Sequence, residues 1–148
     1  MDQQVYKKSI LIVEDDPVIT SLIAFMLKDL GYLVAGSAST AQEAIDAAKK
    51  LGPDLVLMDI HLKGQIDGIE AARTLWGVYN IPVVFITADA EDVTLHRAIK
   101  TSPFGFIEKP LNKELFMLTL KMAFYRYEEE RKRWDLNIRS VEVDNRDI

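Results

Sequence analysis

The chain has 148 residues, 49% of them apolar and 28% charged, a balance suited to one globular domain that buries about two-thirds of its unfolded surface. Eighteen basic against 23 acidic residues leave a net charge of −5, which argues against nucleic acid or an anionic membrane as a direct partner but suits a divalent cation. The absence of cysteine excludes disulfides, thiolate chemistry and Cys-based zinc sites, and no apolar run approaches the roughly 18 residues of a membrane span.

The start, Met1-Asp2-Gln3-Gln4, lacks the basic-then-apolar order of a signal peptide, so a cytoplasmic location is expected. From there the chain alternates. Short runs rich in β-branched and apolar residues at 9–13, 33–35, 54–58, 82–86 and 104–107 predict five strands. Between them lie helical stretches of roughly ten to fourteen residues, the rhythm of βαβ units and a parallel sheet. Leu55-Val56-Leu57-Met58 and Val83-Val84-Phe85-Ile86 are continuously apolar, as strands covered on both faces should be.

The first helix reads from an Asp16 cap and Pro17 at its first position, along a stripe of Ile19, Leu22, Ile23, Met26, Leu27 and Leu30, to a stop at Gly31. The second opens on a Thr40/Glu43 capping box and ends before Pro53. Asp67 and Glu70 bracket the start of the third, whose stripe is Ile69, Ala72 and Trp76. The fourth, over 91–100, has only Val93, Leu95, Ala98 and Ile99 to bury and is expected to be the least firmly packed. The fifth begins after Asn112 and carries two stripes. Leu115, Leu118, Met122 and Tyr125 are expected to face the core; Phe116, Leu120, Phe124 and Tyr127 form the second. Twelve of the last 21 residues are charged, and Glu128/Lys132 and Glu129/Arg133 stand in favourable i,i+4 order. The helix is therefore expected to continue to about Trp134 and to give way to a tail over 136–148, so that a domain at 8–127 is followed by a charged extension at 128–148.

Five βα units imply an open doubly wound sheet, and with strand order 2-1-3-4-5 ligands bind beyond the carboxyl ends of strands 1 and 3. Strand 1 ends in Glu14-Asp15-Asp16, strand 3 in Asp59, strand 4 in Thr87-Ala88 and strand 5 in Lys109-Pro110. Carboxylates gathered so closely repel one another, at a cost on the order of kcal/mol per close pair near a surface. A hard dication such as Mg²⁺ resolves that repulsion with oxygen ligands. A carboxylate at such a metal can act as a nucleophile and form an aspartyl phosphate. Thr87 offers a hydroxyl donor and Lys109 a compact positive charge to phosphoryl oxygens.

The segments Ile10-Leu11-Ile12-Val13-Glu14-Asp15-Asp16-Pro17, Val56-Leu57-Met58-Asp59-Ile60, Asp67-Gly68, Phe85-Ile86-Thr87-Ala88 and Phe106-Ile107-Glu108-Lys109-Pro110 resemble, in order and spacing, the receiver domain of two-component response regulators. The resemblance covers residues 8–125. It implies a flavodoxin-like (βα)5 fold with Asp59 as phosphoacceptor. Mg²⁺ would be held by Asp15, Asp59 and the backbone carbonyl of His61, with Glu14 acting through water. Thr87 and Lys109 would bind the phosphoryl oxygens, Phe106 would be the aromatic that swings inward, and the Lys109–Pro110 bond would be cis. The positions of His61 and Asp89 would set the lifetime of the phosphate. A sensor histidine kinase or phosphotransfer protein would be the donor, and the chain would catalyse only its own phosphorylation and dephosphorylation. The output would pass through the face of the fourth helix, fifth strand and fifth helix, by homodimerisation or through a C-terminal effector domain beyond this chain. The loop after Asp59 departs from the family pattern, being one residue longer and carrying Lys63 where proline is usual.

Plainer readings compete for individual residues. Asp16 is at least as well explained as a helix cap, Phe106 reads also as core, His96 as solvated, and the 128–133 charge run as a solvated helical face. Two other function classes fit less well. A haloacid-dehalogenase type of phosphotransferase wants Asp-x-Asp, where this chain has Asp59-Ile60-His61. A flavodoxin-like nucleotide binder wants a glycine- or hydroxyl-rich loop after strand 1, where Glu14-Asp15-Asp16 would repel phosphate.

Overall fold

The computed structural model describes residues 7–62, 67–88 and 93–146. The chain runs β1 (Ser9–Val13), α1 (Pro17–Asp29), β2 (Leu33–Ala38), α2 (Ala41–Leu51), β3 (Leu55–Asp59), α3 (Gly68–Gly77), β4 (Val83–Thr87), α4 (Val93–Ile99), β5 (Gly105–Glu108) and α5 (Lys113–Arg146). The strands form one parallel five-stranded sheet in the order β2-β1-β3-β4-β5, the flavodoxin-like arrangement expected. Lys63, in the longer loop, together with Asp89 and Glu91 lies outside the described residues.

Strands 3, 4 and 5 each begin and end one residue later than the hydrophobic runs predict. The shift matters for the site. Asp59 pairs with Ile86 and Thr87 with Glu108, so both polar residues are held in register as the last rungs of the sheet. β2 extends three residues beyond its expected end, because pairing of Gly36, Ser37 and Ala38 with Leu11, Ile12 and Val13 overrides their weak strand propensity.

The caps anticipated from sequence are formed. Asp16 Oδ1 accepts from the Val18 N–H at 2.9 Å, Thr40 Oγ1 from that of Glu43 at 3.1 Å, and Asp67 Oδ1 from that of Glu70 at 2.9 Å. Glu43 returns its bond to the Ser39 N–H rather than to Thr40. Gly31 leaves α1 with φ +92°, a conformation that favours glycine.

Two apolar layers sandwich the sheet. Ala44, Ile45, Ala48, Ile69, Ala72, Leu75 and Ala98 of α2, α3 and α4 cover Leu11, Val13, Val56, Met58 and Phe85. On the other face Ile23, Met26 and Leu27 of α1 and Phe116, Leu120 and Ala123 of α5 cover Ile10, Ile12, Leu57, Val84 and Ile86. The α1 stripe is narrower than expected: Leu22 is 48% exposed, and Ile19 and Leu30 are half-buried. α4 is as thinly anchored as expected; Ala98 is buried, Leu95 partly so, and Ile99 faces solvent.

The two stripes of α5 are the reverse of the expectation. Phe116 and Leu120 are fully buried, whereas Leu115, Leu118, Met122 and Tyr125 are all more than half exposed. Both stripes are apolar enough to be core, and the choice falls to the one that meets β5 and α1, where Phe124 stacks on Tyr32 at 5.7 Å. The helix also outlasts its expected end near Trp134. It holds 34 residues, about 51 Å at 1.5 Å per residue, and replaces the anticipated tail as far as Arg146. The reason is local: no glycine or proline interrupts Lys113–Arg146. Its charges pair at i,i+3, Lys132 with Glu129 and Arg133 with Glu130, rather than at i,i+4, and Glu128 turns to Lys8 at 3.7 Å.

Phe116→Ala is expected to cost about 3–5 kcal/mol of unfolding free energy, and Leu118→Ala no more than about 0.5 kcal/mol. Urea denaturation of the two variants checks which stripe is core.

Candidate functional site

The carboxyl ends of the strands bring the candidate residues to one place. Glu14 directly follows β1, its N–H held by the Ala38 carbonyl at 3.0 Å, and Asp59 is the last residue of β3. Both side chains are almost completely buried. Asp15, half-buried, completes the cluster: one carboxylate oxygen from each of Glu14, Asp15 and Asp59 lies within 4.8 Å of the others. Asp16 stands apart as the cap of α1, and its N–H donates to Glu14 Oε1 at 3.3 Å.

Opposite the acids is Lys109. Its Nζ lies 3.4 Å from both Glu14 Oε2 and Asp59 Oδ2, a single ammonium between two buried carboxylates. The lysine is aimed by its backbone, whose N–H donates to the Thr87 carbonyl at 2.8 Å, and it precedes the expected cis bond to Pro110. Thr87, the last residue of β4, is 2% exposed.

The crowding shows in the proton affinity of Glu14. Burial, followed by the hydrogen bond and charge of Asp59, raises its carboxyl from 4.5 to about 7, against the partial opposition of Lys109 and the Asp16 N–H. Among the described residues, three carboxylates gather round one lysine. The cluster offers oxygen donors only, the set that suits a hard divalent cation.

The remaining candidates fall around this centre. The His61 N–H donates to Asp59 Oδ1 at 2.9 Å, closing a turn after β3, and the residue is exposed. Phe106, on β5, is half-buried and stacks on Phe85 at 5.8 Å. It packs against the core without being fully buried, and pairs with Phe85, two residues before Thr87 on the neighbouring strand. Asp89 lies outside the described residues.

Two contacts were not anticipated. A Cβ on Gly68 would stand 2.7 Å from the Asp59 carbonyl oxygen and 3.5 Å from that of Ile60, so α3 begins hard against the end of β3. Asp67, the cap of α3, also accepts from Arg97 of α4 at 3.0 Å. Asp67-Gly68 is visible in the sequence as a helix start; nothing local ties it to an arginine 30 residues on.

A family model described as the response regulator receiver domain matches residues 10–121. The transcriptional regulatory protein PdtaR of Mycobacterium tuberculosis is 31% identical over 122 residues, covering 82% of this chain and 59% of that protein. The nitrogen assimilation regulatory protein NtrX of Azorhizobium caulinodans is 36% identical over 119 residues, covering 77% of this chain and 25% of that protein. The chain thus spans about three-fifths or less of these relatives. Among solved structures, the signal receiver domain of a modulated diguanylate cyclase from Desulfovibrio desulfuricans superposes with a TM-score of 0.80 at 34% identity, covering 84% of this chain and 99% of that one. Motifs, strand order and relatives agree, and the chain belongs to the response regulator receiver domain family.

Proposed function

We propose that Asp59 accepts a phosphoryl group and that the modification switches the surface of α4, β5 and α5. The observation that supports this most directly is the placement of the Asp59 carboxylate, between the Lys109 ammonium and the Glu14 and Asp15 carboxylates at one strand edge. Asp15, Asp59 and the His61 carbonyl would hold Mg²⁺, with Glu14 acting through water. When bound, Mg²⁺ would offset the carboxylate charge and that of the incoming phosphoryl oxygens.

The chain's own residues do the rest. An Asp59 oxygen attacks phosphorus in line, forming a P–O bond as the P–N bond of a phosphohistidine donor on a histidine kinase or phosphotransfer protein breaks. Lys109 exchanges its carboxylate contacts for a phosphoryl oxygen, and Thr87 donates its hydroxyl to another. As Thr87 moves, Phe106 packs inward beside Phe85. α4, in which Ala98 is the one fully buried side chain among those described, shifts with it. Phe106 and Leu115 line a groove of about 400 Å³ between β5 and the start of α5, where the change would reach the surface. His61 and Asp89 flank the phosphate and set its hydrolysis rate. The chain is a substrate of its own chemistry and turns over no other.

For output, the exposed Leu115, Leu118, Met122 and Tyr125 stripe favours association of two copies through this face, and the extension of α5 leads toward an effector domain beyond Arg146.

Three outcomes are expected. Acetyl phosphate with Mg²⁺ adds one phosphoryl group to the wild-type chain by intact mass, and Asp59→Asn takes up none; labelling of the variant at the wild-type rate would refute the assignment. In metal-free protein the unfolded Glu14 titrates near 4.5 and the folded one near 7. The native state therefore binds more protons between these values, and stability falls as pH rises from about 4.5 to 7, by on the order of 2 kcal/mol. Glu14→Gln or saturating Mg²⁺ should flatten that slope in thermal melts. Finally, sedimentation should show a concentration-dependent dimer that Leu118→Glu abolishes, and a monomer at high micromolar would count against the dimer.

A further inference from the structure

α3 connects two places that the sequence keeps far apart. Its first residue, Gly68, abuts the backbone of Asp59 and Ile60, and its cap, Asp67, is clamped to α4 by Arg97. Its last turn carries Trp76, which reaches under the amino-terminal edge of β5 to the other side of the sheet. There Trp76 meets Phe104 edge-on at 4.8 Å and Tyr127 at 6.4 Å, and lies nearly parallel to Trp134 at 5.6 Å with 29° between the ring planes. Phe104 is fixed in turn, with the Arg126 guanidinium over its ring at 4.7 Å and that arginine bonded to the Pro103 carbonyl at 3.1 Å.

Trp134 belongs to the part of α5 that has outrun the domain. Around it Arg131, Lys132, Arg133, Asp135, Leu136 and Ile138 are all exposed, and among the side chains described from 131 to 138 only the Trp134 indole is partly buried. A helix without tertiary packing is marginal in water. The stack therefore decides how the extension leaves the domain.

We infer that α3 is a rigid rod, about 15 Å long, through which the state of the Asp59 pocket sets the docking of the α5 extension at the Trp76–Trp134 stack. The inference rests on the phosphoacceptor reading of Asp59 and adds a second route of output, separate from the α4-β5-α5 face. Both ends of the rod are stiff. The Gly68 end lies too close to the Asp59 carbonyl oxygen to admit a side chain, and the Trp76 end is set among three aromatic rings. When α4 moves, Arg97 pulls on Asp67, and a small displacement of α3 slides Trp76 along Trp134. Offset stacking between flat rings is sensitive to such sliding. The acidic pocket in its unmodified form is paired with the docked stack, so phosphorylation releases the extension.

The chain has only these two tryptophans, so the stack reports on itself. Beryllofluoride with Mg²⁺ is titrated into the 148-residue protein while circular dichroism follows the exciton couplet of the paired indoles and fluorine NMR follows the bound anion. The couplet should fall about twofold or more at saturation, as a shift of the docked population requires. Trp76→Phe and Trp134→Phe, which leave one indole each, should lack it throughout. Linkage demands the converse effect: Trp134→Ala, with the stack removed, should bind beryllofluoride about threefold or more tighter. Trp134→Phe, which keeps an aromatic ring, and Leu136→Ala, equally remote but exposed, should bind as the wild type does. A bound fluorine resonance with an unchanged couplet would overturn the coupling while leaving Asp59 as phosphoacceptor. So would an unchanged affinity of Trp134→Ala. Absence of any bound resonance would overturn both readings.

Discussion

Like charge crowded at the carboxyl edge of the sheet is the constraint on which this molecule turns. Glu14, Asp15 and Asp59 share a pocket where two of the three are buried, and Lys109 is the single ammonium aimed between them. Such an arrangement is poor for stability: burial first, and then the hydrogen bond and charge of Asp59, raise the proton affinity of Glu14. It becomes sensible if the pocket's charge is meant to change. On the proposed reading a dication would lower the repulsion and a phosphoryl group would restore it in a new geometry, biasing the surrounding structure between two states.

The fold serves this by making one end of the pocket stiff and the other yielding. β3 and all of β1 but Ser9 are buried and paired in register, and they hold the acids where they are. α4 has one fully buried side chain among those described, and Phe106 beside it is only half-buried. α3 lies between these extremes, anchored at one end to the Asp59 backbone and at the other to an aromatic cluster beneath the sheet. On the proposed reading, motion that starts at Thr87 would leave by two paths, one along β5 and the outer face of α5, the other along α3.

The distribution of apolar surface follows the same division. A helix lying on a sheet needs one buried stripe, and α5 has Phe116, Leu120 and Ala123 for that purpose. Leu115, Leu118, Met122 and Tyr125 contribute nothing to the core of a single copy. Their exposure is what the proposed contact between two copies would cover.

The alternation of apolar runs with capped amphipathic stretches was enough to specify the five βα units, their parallel sheet and the grouping of Glu14, Asp15, Asp59, Thr87 and Lys109, because strand ends and caps are local properties of the chain. The helix starts at Asp16, Thr40 and Asp67 were legible for the same reason. Which stripe of α5 is core was not legible, since Phe116 and Leu118 are equally apolar and only the position of β5 and α1 distinguishes them. The helix end near Trp134 was misplaced because a change of composition looks like a boundary, whereas a helix stops only where its backbone is interrupted or capped. Arg97 on Asp67, Gly68 against Asp59 and Trp76 on Trp134 join residues up to 58 positions apart, and no periodicity encodes such contacts. The residue types at the site were settled by the sequence by itself; how the site is connected to the rest of the protein was decided only by packing in three dimensions.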